Sequence, residues 1–148
     1  MFDIPPQQLL AAALGSALVS GASIGLKFLT FDGAIAAFLL GFFAFGFGGI
    51  LGAALLLGFF ISSSLLSKAG KSRKKSSNET YAKSSRRDSV QVLANGSVGT
   101  LFLVCTSLHI RYLTPRTAAV YAIAAFAAAN SDTWATEVGG WFRGKPIL

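Results

Sequence analysis

Apolar positions in this chain come in long unbroken runs separated by short polar connections, and the lengths of those runs suit a bilayer. Residues 4–26 carry no charge, and at about 1.5 Å per residue a helix of that length crosses a hydrocarbon core of about 30 Å. A first span is predicted at 9–26. The only charge ahead of it is Asp3, whereas a cleavable signal would open with basic residues, so the segment is expected to be retained. Gly21 and Gly25 repeat four apart, as do Ser16 and Ser20, a spacing that lets helix backbones approach closely in lipid.

Lys27 and Asp32 bracket a short connection, and residues 33–67 then run without a charge. One helix of that length would reach about 52 Å, well beyond the core thickness. Two shorter spans are therefore expected, at 34–45 and 50–66, the first of marginal length. Gly46-Phe47-Gly48-Gly49 is the natural reversal between them, because glycine takes the dihedrals a tight turn needs. Residues 68–89 are rich in lysine, arginine and serine and are expected to form a basic, mobile loop. Uncharged residues resume at 90–108, and after a connection containing Pro115 a last span is expected at 117–131. The expected fold is an all-α polytopic transmembrane protein of five spans, a single membrane domain covering 1–148.

The last run ends on Asn130-Ser131-Asp132-Thr133-Trp134-Ala135-Thr136-Glu137-Val138-Gly139-Gly140, which places two carboxylates directly behind an apolar span. Read as a helix at about 100° per residue, the segment 130–145 is amphipathic. Asp132, Thr133, Thr136, Glu137 and Arg143 share its polar arc, while Trp134, Val138, Trp141 and Phe142 lie elsewhere. Asp132 and Glu137 project roughly 140° apart, so one helix alone would not close both around one metal ion. A second element is needed. Entering the fourth span, Arg87, Gln91 and Asn95 are each four apart and form a polar stripe; amides inside a span need partners. For Asp132 the competing explanation is helix capping.

Composition agrees with the runs: 53% of the 148 residues are hydrophobic and only 13% charged, about half the charged share of a soluble domain. The net charge is +7, and its placement matters more than its size. Lysine and arginine mark the cytoplasmic side of a span. With the basic loop on that side, five spans put 11 of the 13 basic residues there. Arg87, Gln91 and Asn95 then share the cytoplasmic face with Asp132 and Glu137. A lysine-rich block beside spans usually sets topology or meets lipid headgroups and phosphates, so no nucleic-acid partner is expected. Cys105 and His109 each stand alone, without metal-ligand spacing.

A cationic, amide-lined patch beside two acids suits a magnesium nucleotide, whose ion is held by carboxylates and whose phosphates are neutralised by basic groups. There is no Gly-x-x-x-x-Gly-Lys-Ser/Thr loop and no Gly-x-Ser-x-Gly elbow. The candidate site comprises Asp132 and Glu137 as catalytic and metal-holding acids, with Arg87, Gln91, Asn95, Thr133, Lys68 and Lys145 contacting the nucleotide.

Three blocks carry a resemblance: Ser63-Ser64-Leu65-Leu66-Ser67-Lys68, Gln91-Val92-Leu93-Ala94-Asn95-Gly96, and Ser131 through Gly139. They resemble signature blocks of the multi-span integral membrane family that includes plant phytyl-phosphate kinase of the vitamin E pathway. The resemblance implies transfer of a nucleoside triphosphate's terminal phosphate to an isoprenyl monophosphate such as phytyl phosphate, giving the diphosphate. Asp132, Ala135, Gly139 and Gly144 also resemble the looser Asp-x-x-Ala pattern of CTP-dependent polyprenol and phytol kinases, which implies CTP as donor and Mg2+ as its ion. Members of the family usually continue well past the position of Leu148, so the chain is expected to be an amino-terminal piece of a longer protein or to have its second half elsewhere. The expected location is a cell inner membrane, or a plastid membrane in a plant or alga. From another class, a transporter would also use paired acids and broken Gly-rich spans, and a scaffold is a third reading.

Overall fold

A computed structural model of the chain describes residues 4–74, 86–108, 110 and 112–139. Lys145 and residues 75–85, half of the expected basic loop, lie outside the described residues. Four helices follow in order: α1 (Pro6–Gly25), α2 (Phe31–Lys74), α3 (Ser89–Thr106) and α4 (Pro115–Gly139). Among the described residues there is no strand, only isolated bridges pairing Leu29 with Arg87 and Ile110 with Leu113. Pro6–Gly25, Phe31–Lys68 and Ser89–Thr106 are long and apolar enough to cross a membrane.

Proline opens α1 at its first helical position, where the missing N–H is not needed and φ is already helical. The helix closes on Lys27, whose φ is 60°. Phe28 N–H donates to the Ser23 carbonyl at 2.9 Å and Lys27 N–H to that of Ile24 at 3.0 Å. This is the paired-bond cap that normally carries a left-handed glycine.

α2 is broken at Gly49, whose φ of 58° and ψ of −144° are not helical and are open essentially to glycine alone. The break reverses the chain. A β-carbon on Gly52 would run into the Ala44 carbonyl oxygen, although eight residues of straight helix would separate the two residues by about 12 Å. Leu40 and Leu56, one from each arm, both press on Gly96 of α3. Carbonyls freed at the break are taken by side chains from other elements. Gln8 Nε2 donates to the Gly46 oxygen at 2.9 Å, and Ser107 Oγ to that of Phe47 at 3.0 Å. In a lipid surround an unmet carbonyl is costly, so these polar residues fix where the reversal can sit.

Glycine lets the remaining helices close on the hairpin. Leu103 of α3 fills the space beside Gly48 and Gly52, and Phe126 of α4 lies against Gly99. Leu103 and Phe126 join Ala44, Phe59 and Ala122 in one buried cluster.

Three sequence expectations change. α2 stays helical to Lys74, so the start of the expected loop is helix; lysine, arginine and alanine are good helix formers and carry the helix past the single weak position, Gly70. Second, α4 is one helix through Gly139, because no glycine or proline interrupts 116–138. Asp132 is therefore in a helix interior, which removes the capping explanation. Third, Arg87 precedes α3 and is not on it. Asp88 is the N-cap and accepts from Gln91 N–H at 2.9 Å.

Candidate functional site

The hairpin returns the second arm of α2 to the end of the bundle where α1 stops and α3 starts. Backbone bonds lock Arg87 there: Arg87 N–H donates to the Phe28 carbonyl at 2.9 Å and Thr30 N–H to that of Arg87 at 3.0 Å. Thr30 Oγ1 donates to the same Arg87 oxygen at 3.1 Å, and Ser89 N–H to Asp32 Oδ2 at 2.9 Å. The connection after α1 thus clamps the start of α3.

With its backbone pinned, the Arg87 side chain reaches into the bundle. One guanidinium nitrogen, NH1, donates to Ser63 Oγ at 2.8 Å, and the guanidinium carbon is 5.7 Å from the centre of the Phe59 ring. Ser63 in turn donates to the Phe59 carbonyl. Burial pushes the guanidinium below its ordinary pKa, and the charge of Glu137 opposes that shift; arginine stays protonated throughout. A half-buried cation whose one hydrogen bond among the described residues goes to a neutral hydroxyl keeps donors for an anion.

Glu137 reaches this end from α4, where its Oε1 accepts from Ser67 Oγ at 2.7 Å. About two turns before it on α4, Asn130 Oδ1 accepts from Ser62 Oγ at 3.2 Å. Lys68 follows on the same arm, with Nζ 5.6 Å from the Phe28 ring centre. Two of the candidate residues, Arg87 and Glu137, are thus brought together through the serines of α2. Asp132 is not among them. It is exposed, and among the described residues its carboxylate has no hydrogen bond or ion pair, while neighbouring Thr133 is half-buried. Glu137 is turned toward α2 and Asp132 away from it, as five positions of helix require.

Gln91 and Asn95, on α3, line a cavity of about 190 Å³ together with Arg87. Both amides are half-buried. Among the described residues neither side chain has a hydrogen-bond partner.

Ser62 was passed over by sequence reasoning, and Ser63, Ser67 and Asn130, though they stand in the blocks quoted from the sequence, were given no role in the site. Their signal was available: Ser63 and Ser67 are four apart and so share a helix face. No group of three or more His, Cys, Asp or Glu side chains that could hold a metal occurs among the described residues. An Mg2+ carried by a nucleotide would ask for one or two carboxylates, with phosphate and water at its other positions; of the two acids, Glu137 is bonded to Ser67 at this end of the bundle and Asp132 is exposed.

Residues 14–148 match the family described as integral membrane protein DUF92. The chain is 33% identical to Protein PGR of Arabidopsis thaliana over 97% of its own length and 53% of that protein's. It is 34% identical to the membrane protein MJ0933 of Methanocaldococcus jannaschii over 79% of its own length and 46% of the relative's. The chain therefore spans about half the length of the curated relatives it matches. No solved structure matches it.

Proposed function

The chain belongs to the integral membrane protein family DUF92, and from that premise we propose that it forms part of a membrane kinase that phosphorylates an isoprenyl monophosphate. The observation that carries this reading is the half-buried Arg87, bonded to Ser63 and set near Glu137 at one end of the bundle. A desolvated guanidinium with free donors is an anion site, and phosphoryl transfer asks for charge placement more than for covalent chemistry.

In this reading the five runs span the membrane and the Arg87 end faces the cytoplasm, on the strength of the basic bias. Arg87 and Lys68, with Lys145, neutralise phosphate oxygens; Gln91, Asn95 and Thr133 orient them. Asp132 and Glu137 would hold Mg2+ with the nucleotide, Glu137 through a water, and the ion offsets charge on the transferring group. An oxygen of the acceptor's phosphate attacks the terminal phosphorus of the donor, CTP being the expected one. The bond from that phosphorus to its bridging oxygen breaks, and the nucleoside diphosphate leaves with the electron pair. The attacking oxygen is already anionic near neutral pH, so no strong base is required.

The break at Gly49 is the feature that would suit a transporter. Its carbonyls at Gly46 and Phe47 are taken by Gln8 and Ser107, which argues against an ion site there. The test is purified native-length protein in detergent with Mg2+, labelled CTP or ATP, and phytyl or geranyl monophosphate. Diphosphate formation that depends on the lipid supports the kinase. Nucleotide-independent flux in sealed vesicles with no diphosphate would replace it with the transporter.

A further inference from the structure

The exposed sides of the four helices differ in what they offer to hydrocarbon. α1 presents Leu14 and Leu18, α2 presents Ile61 and Leu65, and α3 presents Val98 and Leu101; these are side chains that lipid favours. α4 departs from that pattern. It buries Ala118, Ala122 and Phe126 against its neighbours, and at about 100° per residue the side opposite Phe126 carries Ala124, Ala128, Ser131, Ala135 and Gly139, all exposed. Between Ala124 and Gly139 the only large apolar side chain that is exposed is Trp134, which sits on the flank of that side. Asp132, also exposed, sits on the other flank.

α4 nevertheless lies alongside the apolar helices at their own depth. The Tyr121 ring is centred 5.2 Å from that of Phe102, Phe126 lies against Gly99, and Asn130 accepts from Ser62. Among the described residues the stretches long and apolar enough to cross a membrane belong to α1, α2 and α3, not to α4. A side of alanine, serine and glycine gains little from lipid, because so little apolar area is there to be covered. The same small side chains let a second helix backbone come close, which is how helices pack inside a bilayer. What suits this side is another helix.

The curated relatives matched at 33% and 34% identity have about as much sequence again outside the match, so one chain of that length holds enough to cover α4 without a second copy. We propose that the side of α4 centred on Ala128 and Ala135 is a docking surface, covered in the native-length protein by a membrane helix from the part corresponding to the relatives' unmatched half. α4 is then an interior helix of the complete bundle, with protein on both sides. The covering helix passes Asp132 on its way, so it supplies the surroundings that the carboxylate lacks among the described residues. This inference stands apart from the kinase reading, since it rests on which side chains α4 exposes and on the length of the relatives.

The test is photo-crosslinking of native-length protein in lipid bilayers. Ala128→Cys or Ala135→Cys, in a Cys105→Ser background, carries a diazirine on its thiol, and mass spectrometry identifies what the carbene inserts into. Adducts should lie within one chain, on residues of the part that corresponds to the relatives' unmatched half. Adducts mainly to lipid would overturn the proposal, and so would adducts joining two copies. Ala128→Trp and Ala135→Trp should each lower the thermal midpoint by about 4 °C or more, as overfilling a packed contact does; unchanged midpoints in both would overturn it as well. The two readings fail separately. Adducts within the chain without phosphoryl transfer keep the docking surface and remove the kinase, whereas transfer by a protein whose adducts are lipid does the reverse.

Discussion

Ser67 of α2 donates a 2.7 Å hydrogen bond to Glu137 of α4, joining residues 70 apart in the chain. The bond holds the carboxylate on the α2 side of α4, the side on which Arg87 lies. It makes the serine block a positioning element for the charged end of the bundle.

Ser67→Ala should therefore cost about 1 kcal/mol in stability, the usual net worth of a hydrogen bond, or somewhat more because a charged acceptor is involved. Ser67→Thr keeps the hydroxyl and should recover most of it. Thermal unfolding in detergent reads both. Equal midpoints for wild type and Ser67→Ala would mean that the bond contributes nothing.

The glycines of α2 separate turn from packing. Gly49→Ala meets a backbone that alanine adopts poorly and should lose about 1–3 kcal/mol. Gly52→Ala drives a β-carbon into the Ala44 carbonyl and should be worse, because backbone rather than a pliable side chain is in the way. Gly58→Ala has open space and should be neutral or gain up to about 1 kcal/mol from helix propensity. A different rank order of unfolding midpoints would contradict the hairpin.

Lys27 has the left-handed conformation of a helix cap without being glycine. Lys27→Gly removes the clash of the β-carbon with its own backbone and should stabilise by about 1 kcal/mol. A lowered midpoint would mean that the lysine side chain contributes more than the strain.

Much of the architecture could be read from charge-free runs alone, because bilayer thickness sets a length that 33–67 exceeds and Gly46 to Gly49 offers one place to reverse. Arg87 and Glu137 meet at one end of the bundle through the serines of α2, as expected from the sequence, whereas Asp132 is turned away. Local choices were harder. Asp88-Ser89-Val90-Gln91 spells a helix start, with Asp at the cap and Gln three residues on, yet the four-residue spacing of Arg87, Gln91 and Asn95 suggested one continuous stripe. Arg87 still reaches the same cavity, from a clamped loop. The serines of α2 were given no part in the site because uncharged hydroxyls do not interrupt an apolar run, and the partners of Ser62 and Ser67, Asn130 and Glu137, lie 68 and 70 residues away.

Topology has a direct readout in cysteine labelling, in a Cys105→Ser background. Leu29 pairs with Arg87, so Phe31→Cys and Arg86→Cys, both exposed, should react from one side of the membrane. Tyr112→Cys, 88% exposed and beyond α3, should react from the other. Impermeant reagent in intact cells should reach only Tyr112→Cys. Labelling of Phe31→Cys and Arg86→Cys from opposite sides would mean that α2 crosses without reversing.

Asp132 gives the sharpest test of the kinase, because its place in α4 leaves few structural roles for its charge. It is exposed in a helix interior, and Thr136 Oγ1 bonds its backbone oxygen at 2.9 Å rather than its carboxylate. Asp132→Asn preserves shape and changes helix propensity little, so stability should stay within about 0.5 kcal/mol. If the carboxylate holds the nucleotide's magnesium, turnover should fall at least roughly a hundredfold, the size expected when several kcal/mol of electrostatic stabilisation are withdrawn from a transferring phosphoryl group. Arg87→Lys contrasts with it: the charge remains but the planar fork is lost, and the bond to Ser63 with it. Nucleotide or acceptor binding should weaken while a measurable rate survives. Wild-type turnover in folded Asp132→Asn would place the metal elsewhere and leave Asp132 as a surface charge.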